Sequence, residues 1–279
     1  MNRRPVFLIS VMCFGFAFFY IPILSMVVYS FNASRLATVW GGFSTKWYIS
    51  LLSNKQVIAA LILSLKIAVL SATAATILGT MAGFALARFK RFRGRILFSG
   101  LVNAPLIMPE VITGISSLIF FILLAEWVGW PAQRGFATIT LAHITFSMVF
   151  VTTIVVSRLT QSDRAIEEAA MDLGSRPWQV LFDVTLPVIA PSILSGWLLA
   201  FTISMDDVVI TSFTTGPGNT TLPLLIWSKV KLGVTPDVNA LATVTVLVVG
   251  VGVIIAGWLL NRADVRRARD ARMAYRDNA

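Results

Sequence analysis

Six long apolar blocks, separated by short polar and basic connections, dominate the hydrophobic pattern of the chain. Five of them, residues 5–34, 67–87, 135–157, 184–205 and 238–261, contain no charged residue, and the block 96–125 contains only Glu110. Each block exceeds the roughly 20 residues that a helix needs to cross about 30 Å of hydrocarbon. The pattern predicts an all-α, polytopic membrane protein with six transmembrane helices, forming one domain over residues 1–279.

The composition agrees with this pattern. Apolar residues make up 57% of the 279 positions and charged residues only 13%, against roughly a quarter in soluble domains. The first block follows Arg3 and Arg4, as the core of a signal peptide would. It is much longer than a signal core of about 7–15 residues and has no persuasive small-residue cleavage site, so we interpret it as a retained helix.

The distribution of Lys and Arg predicts the orientation. If the N-terminus is cytoplasmic, most of the 23 basic residues fall in cytoplasmic segments, at positions 3–4, 88–95, 158–176 and 262–276. Both termini are therefore predicted to be cytoplasmic. Attraction to anionic lipid headgroups explains the net charge of +10. Nucleic-acid binding is not predicted, because no soluble domain presents the basic residues.

Residues for catalysis or metal binding do not cluster in the sequence. It contains no G-x-x-x-x-G-K-[ST] phosphate loop and no G-x-S-x-G or H-E-x-x-H spacing. Cys13 is the only cysteine and His143 the only histidine, so no disulfide, metal or redox site is predicted. We expect His143 to make a polar contact between helices.

The connection between the fourth and fifth predicted spans, residues 158–187, is far longer than the roughly 2–8 residues that a helix hairpin needs. Asp163 is a candidate N-cap for a short helix, Glu167 and Glu168 suit its positive end, and Gly174 suits a left-handed turn after it. We expect a second short helix over residues 177–182, with Pro187 marking entry into the next span.

This segment resembles the EAA loop of binding-protein-dependent ABC import permeases, E-A-A-x3-G-x9-I-x-L-P, with Val184 in place of the usual Ile. The resemblance implies the type I ABC importer permease architecture, and a coupling helix that docks in a groove of an ATPase subunit. The residues implied in coupling are Glu168, Ala169, Ala170, Asp172, Gly174, Leu186 and Pro187.

The same resemblance implies the partners. They are a second homologous permease, two ATPase subunits that bind ATP and magnesium, and a periplasmic substrate-binding protein. The chain itself would hold no cofactor and would reside in the bacterial inner membrane. At residues 29–34 and 40–48 of the first periplasmic connection, and at residues 103–110, 204–209, 215–217 and 238–243, the chain is similar to putrescine and spermidine permeases, and residues 103–110 favour putrescine.

Three acidic residues are candidates for the substrate pathway. Polyamines carry several ammonium groups, and carboxylates at membrane depth are costly, so Glu110, Asp206 and Asp207 are predicted to line the route. Continuous helices would place Glu110 and Asp206 at a similar depth, roughly 22 Å above the cytoplasmic boundary, whereas a bend at Pro105 or Pro109 would change the depth of Glu110. A structural ion pair with Lys66 is the alternative.

Other functions remain open from these residues alone. A secondary transporter would use the same acids to carry ions, and an intramembrane enzyme would use paired aspartates. An ABC importer for another substrate is a further alternative. The EAA segment favours an ATP-driven importer, and two adjacent aspartates do not supply the opposed pair that water activation requires.

Overall fold

The computed structural model describes residues 3–36, 39–89, 91–233 and 235–277, and most of these residues are helical. One segment, Val180–Thr185, is a π-helical turn. Apart from one isolated bridge, no β-strand occurs in these ranges, so the all-α prediction is confirmed. The helices are α1 (Arg3–Tyr29), α2 (Lys46–Ser53), α3 (Lys55–Arg88), α4 (Arg95–Ile107), α5 (Glu110–Val128), α6 (Phe136–Gln161), α7 (Ala165–Asp172), α8 (Pro177–Gln179), α9 (Leu186–Asp206), α10 (Val209–Thr214), α11 (Leu222–Leu232) and α12 (Pro236–Asp277).

Among the residues that the structure describes, five helical stretches are long and apolar enough to cross a membrane. They are Val6–Tyr29, Lys55–Arg88, Glu110–Val128, Phe136–Gln161 and Pro177–Asp206. The last predicted block lies in α12, whose stretch Pro236–Gly252 is apolar but shorter. Side chains from residue 259 onward lie outside the described part of the chain, so the six-span count and the cytoplasmic termini stay predictions.

The third predicted span is interrupted, so the expectation of one continuous helix over 96–125 was wrong. α4 ends at Ile107, Met108 is extended (φ −80°, ψ 137°), and α5 begins at Glu110. Pro109 explains the break, because proline lacks an N–H and disfavours helical geometry in the residue before it. The depth calculated for Glu110 from an unbroken helix therefore does not hold.

Close packing of α3, α6 and α9 forms the core around the second, fourth and fifth predicted spans. A Cβ added at Gly79 would lie 2.8 Å from Val151 Cβ, and one added at Gly83 would lie 2.8 Å from Val155 Cγ1. A Cβ added at Gly196 of α9 would lie 3.3 Å from Cγ1 of the same Val151. Small residues four positions apart allow two helices to approach closely. Such packing drives helix association in a membrane, because lipid tails leave no hydrophobic driving force between helices.

Contacts divide the chain into two compact units. One comprises Met1–Ala59 and Leu225–Ala256, and the other comprises Ala60–Leu224 and Gly257–Ala279. In the first unit, buried Asn32 organises the turn after α1: its side-chain oxygen accepts the Gly41 N–H at 2.8 Å and its amide donates to the Val39 carbonyl at 2.8 Å. All the candidate site residues lie in the second unit.

Candidate functional site

The first helix of segment 158–187 forms where the sequence predicts it. α7 spans Ala165–Asp172, with Glu167 and Glu168 in its first turn. The N-cap residue is Arg164 and not Asp163 as predicted, but the Asp163 carboxylate accepts the Ala165 N–H at 2.9 Å and so satisfies one of the free donors at the helix start. Acidic side chains in the first turn also complement the positive end of the helix dipole.

Gly174 ends α7 in the predicted left-handed turn, with φ +91°. The Ser175 N–H donates to the Ala170 carbonyl at 3.1 Å, and the Gly174 N–H donates to the Met171 carbonyl at 2.9 Å. These two bonds form a Schellman motif, which satisfies carbonyls that the helix end leaves free. A side chain at position 174 would be strained by the backbone alone.

The second helix begins at Pro177 as predicted, but it does not end at Phe182. It continues through the π-helical turn into α9, where the Leu186 N–H donates to the Leu181 carbonyl five residues back. Pro187 has no N–H for the carbonyl of Asp183, and the wider π turn accommodates that missing bond. One helical rod therefore runs from Pro177 to Asp206.

The proposed coupling residues lie mainly on an open surface. α7 has no buried residue, and Glu168, Ala169, Asp172 and Gly174 are exposed, as is Pro187. Ala170 and Leu186 are partly buried. The next residue after α7, Leu173, exposes 88% of its surface. The surface of α7 and the residue after it therefore combines exposed charged side chains with one exposed leucine.

Beneath α7, the structure shows an ion pair that sequence reasoning missed. Arg88, the last residue of α3, donates from Nη2 to Glu167 Oε1 at 2.7 Å and from Nη1 to the Leu159 carbonyl at 2.8 Å. The Thr185 hydroxyl donates to the same Glu167 oxygen at 3.1 Å. The side chains of Arg88 and Glu167 are only 9% and 16% exposed. The contact therefore joins α3, α6, α7 and the π turn.

The two adjacent aspartates lie where α9 ends and have different surroundings. Asp207 is extended and turns toward α10, where its carboxylate accepts the N–H groups of Ile210 at 3.1 Å and Thr211 at 2.7 Å. The Thr211 hydroxyl donates to it at 2.7 Å, and His143 Nε2 lies 3.2 Å away. The Asp207 side chain is only 7% exposed.

His143 forms the predicted polar contact between helices. Its Nδ1 lies 2.7 Å from the Ser204 hydroxyl of α9, which in turn accepts from the Ser71 hydroxyl of α3 at 3.1 Å. His143 itself is 3% exposed and lies on α6. The network satisfies buried polar groups of three helices and holds the end of α9 in place.

Asp206 and Glu110, in contrast, have exposed side chains. The Asp206 carboxylate lies within electrostatic range of the carboxylates of Asp207 and Glu110, and of His143. Within residues 3–36, 39–89, 91–233 and 235–277, the ion pairs are Arg88–Glu167 and Lys229–Asp237, and His143 contacts Asp207. Lys66 is exposed and does not pair with either acid, so the alternative of a structural ion pair has no support in this geometry.

Comparison with known proteins identifies the family. Residues 75–269 match the family described as the inner membrane component of binding-protein-dependent transport systems. This chain belongs to that family. As a member, it is a multi-pass inner-membrane protein whose helices follow the permease fold.

Curated relatives of this permease cover nearly its whole length. The chain is 52% identical to the "Putrescine transport system permease protein PotI" of Escherichia coli K12, over 99% of the chain and 100% of the relative. It is 44% identical to the "Spermidine/putrescine transport system permease protein PotC" of the same strain, over 88% and 90%. PotC of Haemophilus influenzae is 41% identical, over 89% and 94%.

Solved structures confirm the fold of this permease. A bacterial ABC transporter that imports alginate contains a chain with a TM-score of 0.68 at 17% identity, covering 94% of this chain and 97% of that one. A chain of the MetNI methionine ABC transporter, in an inward-facing conformation, has a TM-score of 0.60 at 16% identity, covering 75% and 98%. At these identities the similarity concerns the fold.

Proposed function

We propose that the chain is a transmembrane permease subunit of an ATP-driven importer, which moves putrescine or a related polyamine from periplasm to cytoplasm. The observation that carries this proposal is the 52% identity to the PotI putrescine permease over 99% of the chain. That similarity covers the membrane spans and the cytoplasmic segment alike. The lower identity to PotC, 44%, favours putrescine as the first substrate to test.

The working transporter is proposed to contain a second homologous permease, two ATPase subunits and a periplasmic binding protein. The family description names binding-protein-dependent transport. A related alginate transporter was solved in complex with a substrate-bound periplasmic protein. Because the sequence has no phosphate loop, we assign ATP and magnesium binding, and ATP hydrolysis, to the separate ATPase subunits.

α7 and the turn after it are proposed to dock on the ATPase. Glu168 and Asp172 supply exposed charges, and Ala169 lets a partner backbone approach closely. Leu173, 88% exposed in the chain alone, would be covered by a groove of the partner. This combination of an apolar centre and a polar rim is typical of protein interfaces.

Glu110 and Asp206 are proposed to stabilise the ammonium groups of the substrate during its crossing. An ammonium group that leaves water needs a compensating charge, and two exposed carboxylates near the α4–α5 break and the end of α9 provide it. Asp207 is proposed to act beside the pathway rather than in it, because its carboxylate is already occupied by α10 and His143.

Transport is proposed to follow alternating access. ATP binding would bring the ATPase subunits together, α7 would move with them, and the membrane helices would switch from an inward-open to an outward-open state. Hydrolysis would reset the cycle. Each ligand can shift this equilibrium only by its difference in affinity for the two states.

Uptake of labelled putrescine tests the proposal in cells that lack other polyamine importers and express the chain with its partners. We expect uptake to disappear when the partner ATPase is deleted, because the chain alone cannot use ATP. Uptake that persists without the ATPase would favour an ion-coupled carrier instead.

The two pathway acids can be tested in the same cells. Glu110→Gln and Asp206→Asn should lower uptake at least tenfold at low substrate, since losing one partner of a close charge pair costs about 2–5 kcal/mol. Glu126→Gln is the matched control, because Glu126 is also an exposed acid on α5. Wild-type uptake in the Glu110→Gln, Asp206→Asn double variant would remove both acids from the pathway. Restored uptake on adding Lys66→Met would reassign them to a structural ion pair.

A further inference from the structure

The contact beneath α7 joins more of the molecule than an ordinary surface ion pair does. We call Arg88, Glu167 and Thr185 the polar anchor. One carboxylate oxygen of Glu167 accepts from Arg88 Nε at 3.2 Å, from Arg88 Nη2 at 2.7 Å and from the Thr185 hydroxyl at 3.1 Å. Thr185 is 3% exposed. The anchor therefore lies largely out of water, where a charged contact is screened little.

Apolar burial holds α7 only weakly, because Ala170 is its one partly buried apolar residue. The helix has eight residues and none of them is buried. An isolated helix of that length is not stable in water, since most helical stability in proteins comes from packing. The position and direction of α7 therefore depend on polar contacts, and Glu167 supplies the ion pair among them.

The guanidinium group suits this role better than an ammonium group. Arg88 uses the same planar fork to bind Glu167 and to donate to the Leu159 carbonyl of α6 at 2.8 Å. Arg164, just before α7, donates from Nη2 to the backbone carbonyl of Arg88 at the end of α3, at 3.3 Å. The two arginines thus connect the end of α3 and the start of α7 in both directions.

We propose that the polar anchor is the positioning contact through which movement of α7 is transmitted to the membrane helices. It ties α7 at once to α3, to α6 and to the π turn that continues into α9. α9 then continues for 21 residues, about 30 Å, to Asp206, with Pro191 inside it. A displacement of α7 would therefore be passed along α9 toward its far end.

This inference rests on the proposed docking of α7 to an ATPase. It differs from the EAA resemblance, because Glu167 precedes the E-A-A residues and Arg88 lies 79 positions away in the sequence. Its prediction concerns the efficiency of coupling and not the affinity of the ATPase for the permease.

The test uses the complete transporter, with both permeases, the ATPases and the binding protein, in proteoliposomes that contain ATP. The measured quantity is putrescine transported per ATP hydrolysed. Glu167→Gln and Arg88→Gln should each lower this ratio at least tenfold, with the complex still assembled and hydrolysing ATP. Arg88→Lys, which keeps the charge, should restore part of the loss. Arg91→Gln is the matched control, because Arg91 is an exposed arginine of the same connection.

The Arg88→Gln, Glu167→Gln double variant should be no worse than the more affected single variant, since both changes remove the same contact. If a charge variant does not assemble, Thr185→Val removes only the hydroxyl donor and should lower the ratio by a smaller amount. Ratios within twofold of wild type, or an equal loss in Arg91→Gln, would overturn the proposal. The proposal would also be overturned if transport and ATP hydrolysis both fell only in proportion to the amount of assembled complex. Failure of wild type itself to accumulate putrescine would instead overturn the proposed function.

Discussion

The two adjacent aspartates provide a sharp prediction, because the structure gives them different tasks. Asp207→Ala should destabilise the protein, whereas Asp206→Asn should leave its stability nearly unchanged. Asp207 accepts hydrogen bonds from two backbone N–H groups and one hydroxyl of α10, at 2.7–3.1 Å, and lies 3.2 Å from His143 Nε2. Asp206 has an exposed side chain.

The magnitude follows from what Asp207→Ala leaves behind. Hydrogen bonds to a charged group contribute about 1.5–3 kcal/mol each, but bonds that share one carboxylate are not additive. A buried donor left without an acceptor costs about 1–3 kcal/mol, so the loss for the donors of α10 is on the order of 3 kcal/mol. At roughly 2–4 °C per kcal/mol for a chain of this size, the melting temperature should fall by on the order of 10 °C. An exposed substitution such as Asp206→Asn changes stability by about 0.5 kcal/mol or less.

Thermal denaturation of the purified protein in detergent, followed by size-exclusion chromatography, measures both variants against wild type. The same preparations can be compared for putrescine uptake after reconstitution with the partner subunits. Asp206→Asn should keep its melting temperature and lose uptake. Equal melting temperatures for Asp207→Ala and wild type would refute the assignment of Asp207 to the end of α9.

Three further outcomes follow from the fold. In a variant with Cys13 replaced, the cysteine of Arg91→Cys should react with a thiol reagent only from the cytoplasm, and that of Pro217→Cys only from the periplasm. Labelling of position 91 from outside intact cells would contradict the predicted topology. Gly174→Asp should insert in the membrane but bind the ATPase weakly, since φ is +91° there; normal ATPase co-purification would contradict this. Gly83→Leu should lower the yield of folded protein, because an added Cβ lies 2.8 Å from Val155; a wild-type yield would contradict close packing.

Local sequence signals predicted much of the structure. Runs of about 20 uncharged residues located the apolar helices, because a helix of that length satisfies its own backbone hydrogen bonds inside lipid. Asp163 and Gly174 located both ends of α7 to within two residues, since a side-chain acceptor before the helix and a left-handed turn after it satisfy its free backbone groups. Pro105 and Pro109 indicated a bend in the third span, and the break between α4 and α5 lies at Pro109.

Contacts between distant positions could not be read from the sequence. Arg88 and Glu167 are 79 positions apart, and His143 and Asp207 are 64 positions apart. Nothing in the local pattern distinguished Asp207 from Asp206, whose roles separate only because α9 ends between them. The sequence analysis also missed the π turn. Pro187 by itself is compatible both with the first turn of a new helix and with a helix that continues through a π turn.

ATP-driven accumulation of putrescine in proteoliposomes tests the central claim most directly. The complete transporter would be reconstituted with ATP inside, binding protein and labelled putrescine outside, and ionophores present to remove ion gradients. We predict accumulation above the external concentration with ATP, and none with a non-hydrolysable analogue. Accumulation that depends on a proton or sodium gradient and ignores ATP would contradict the account.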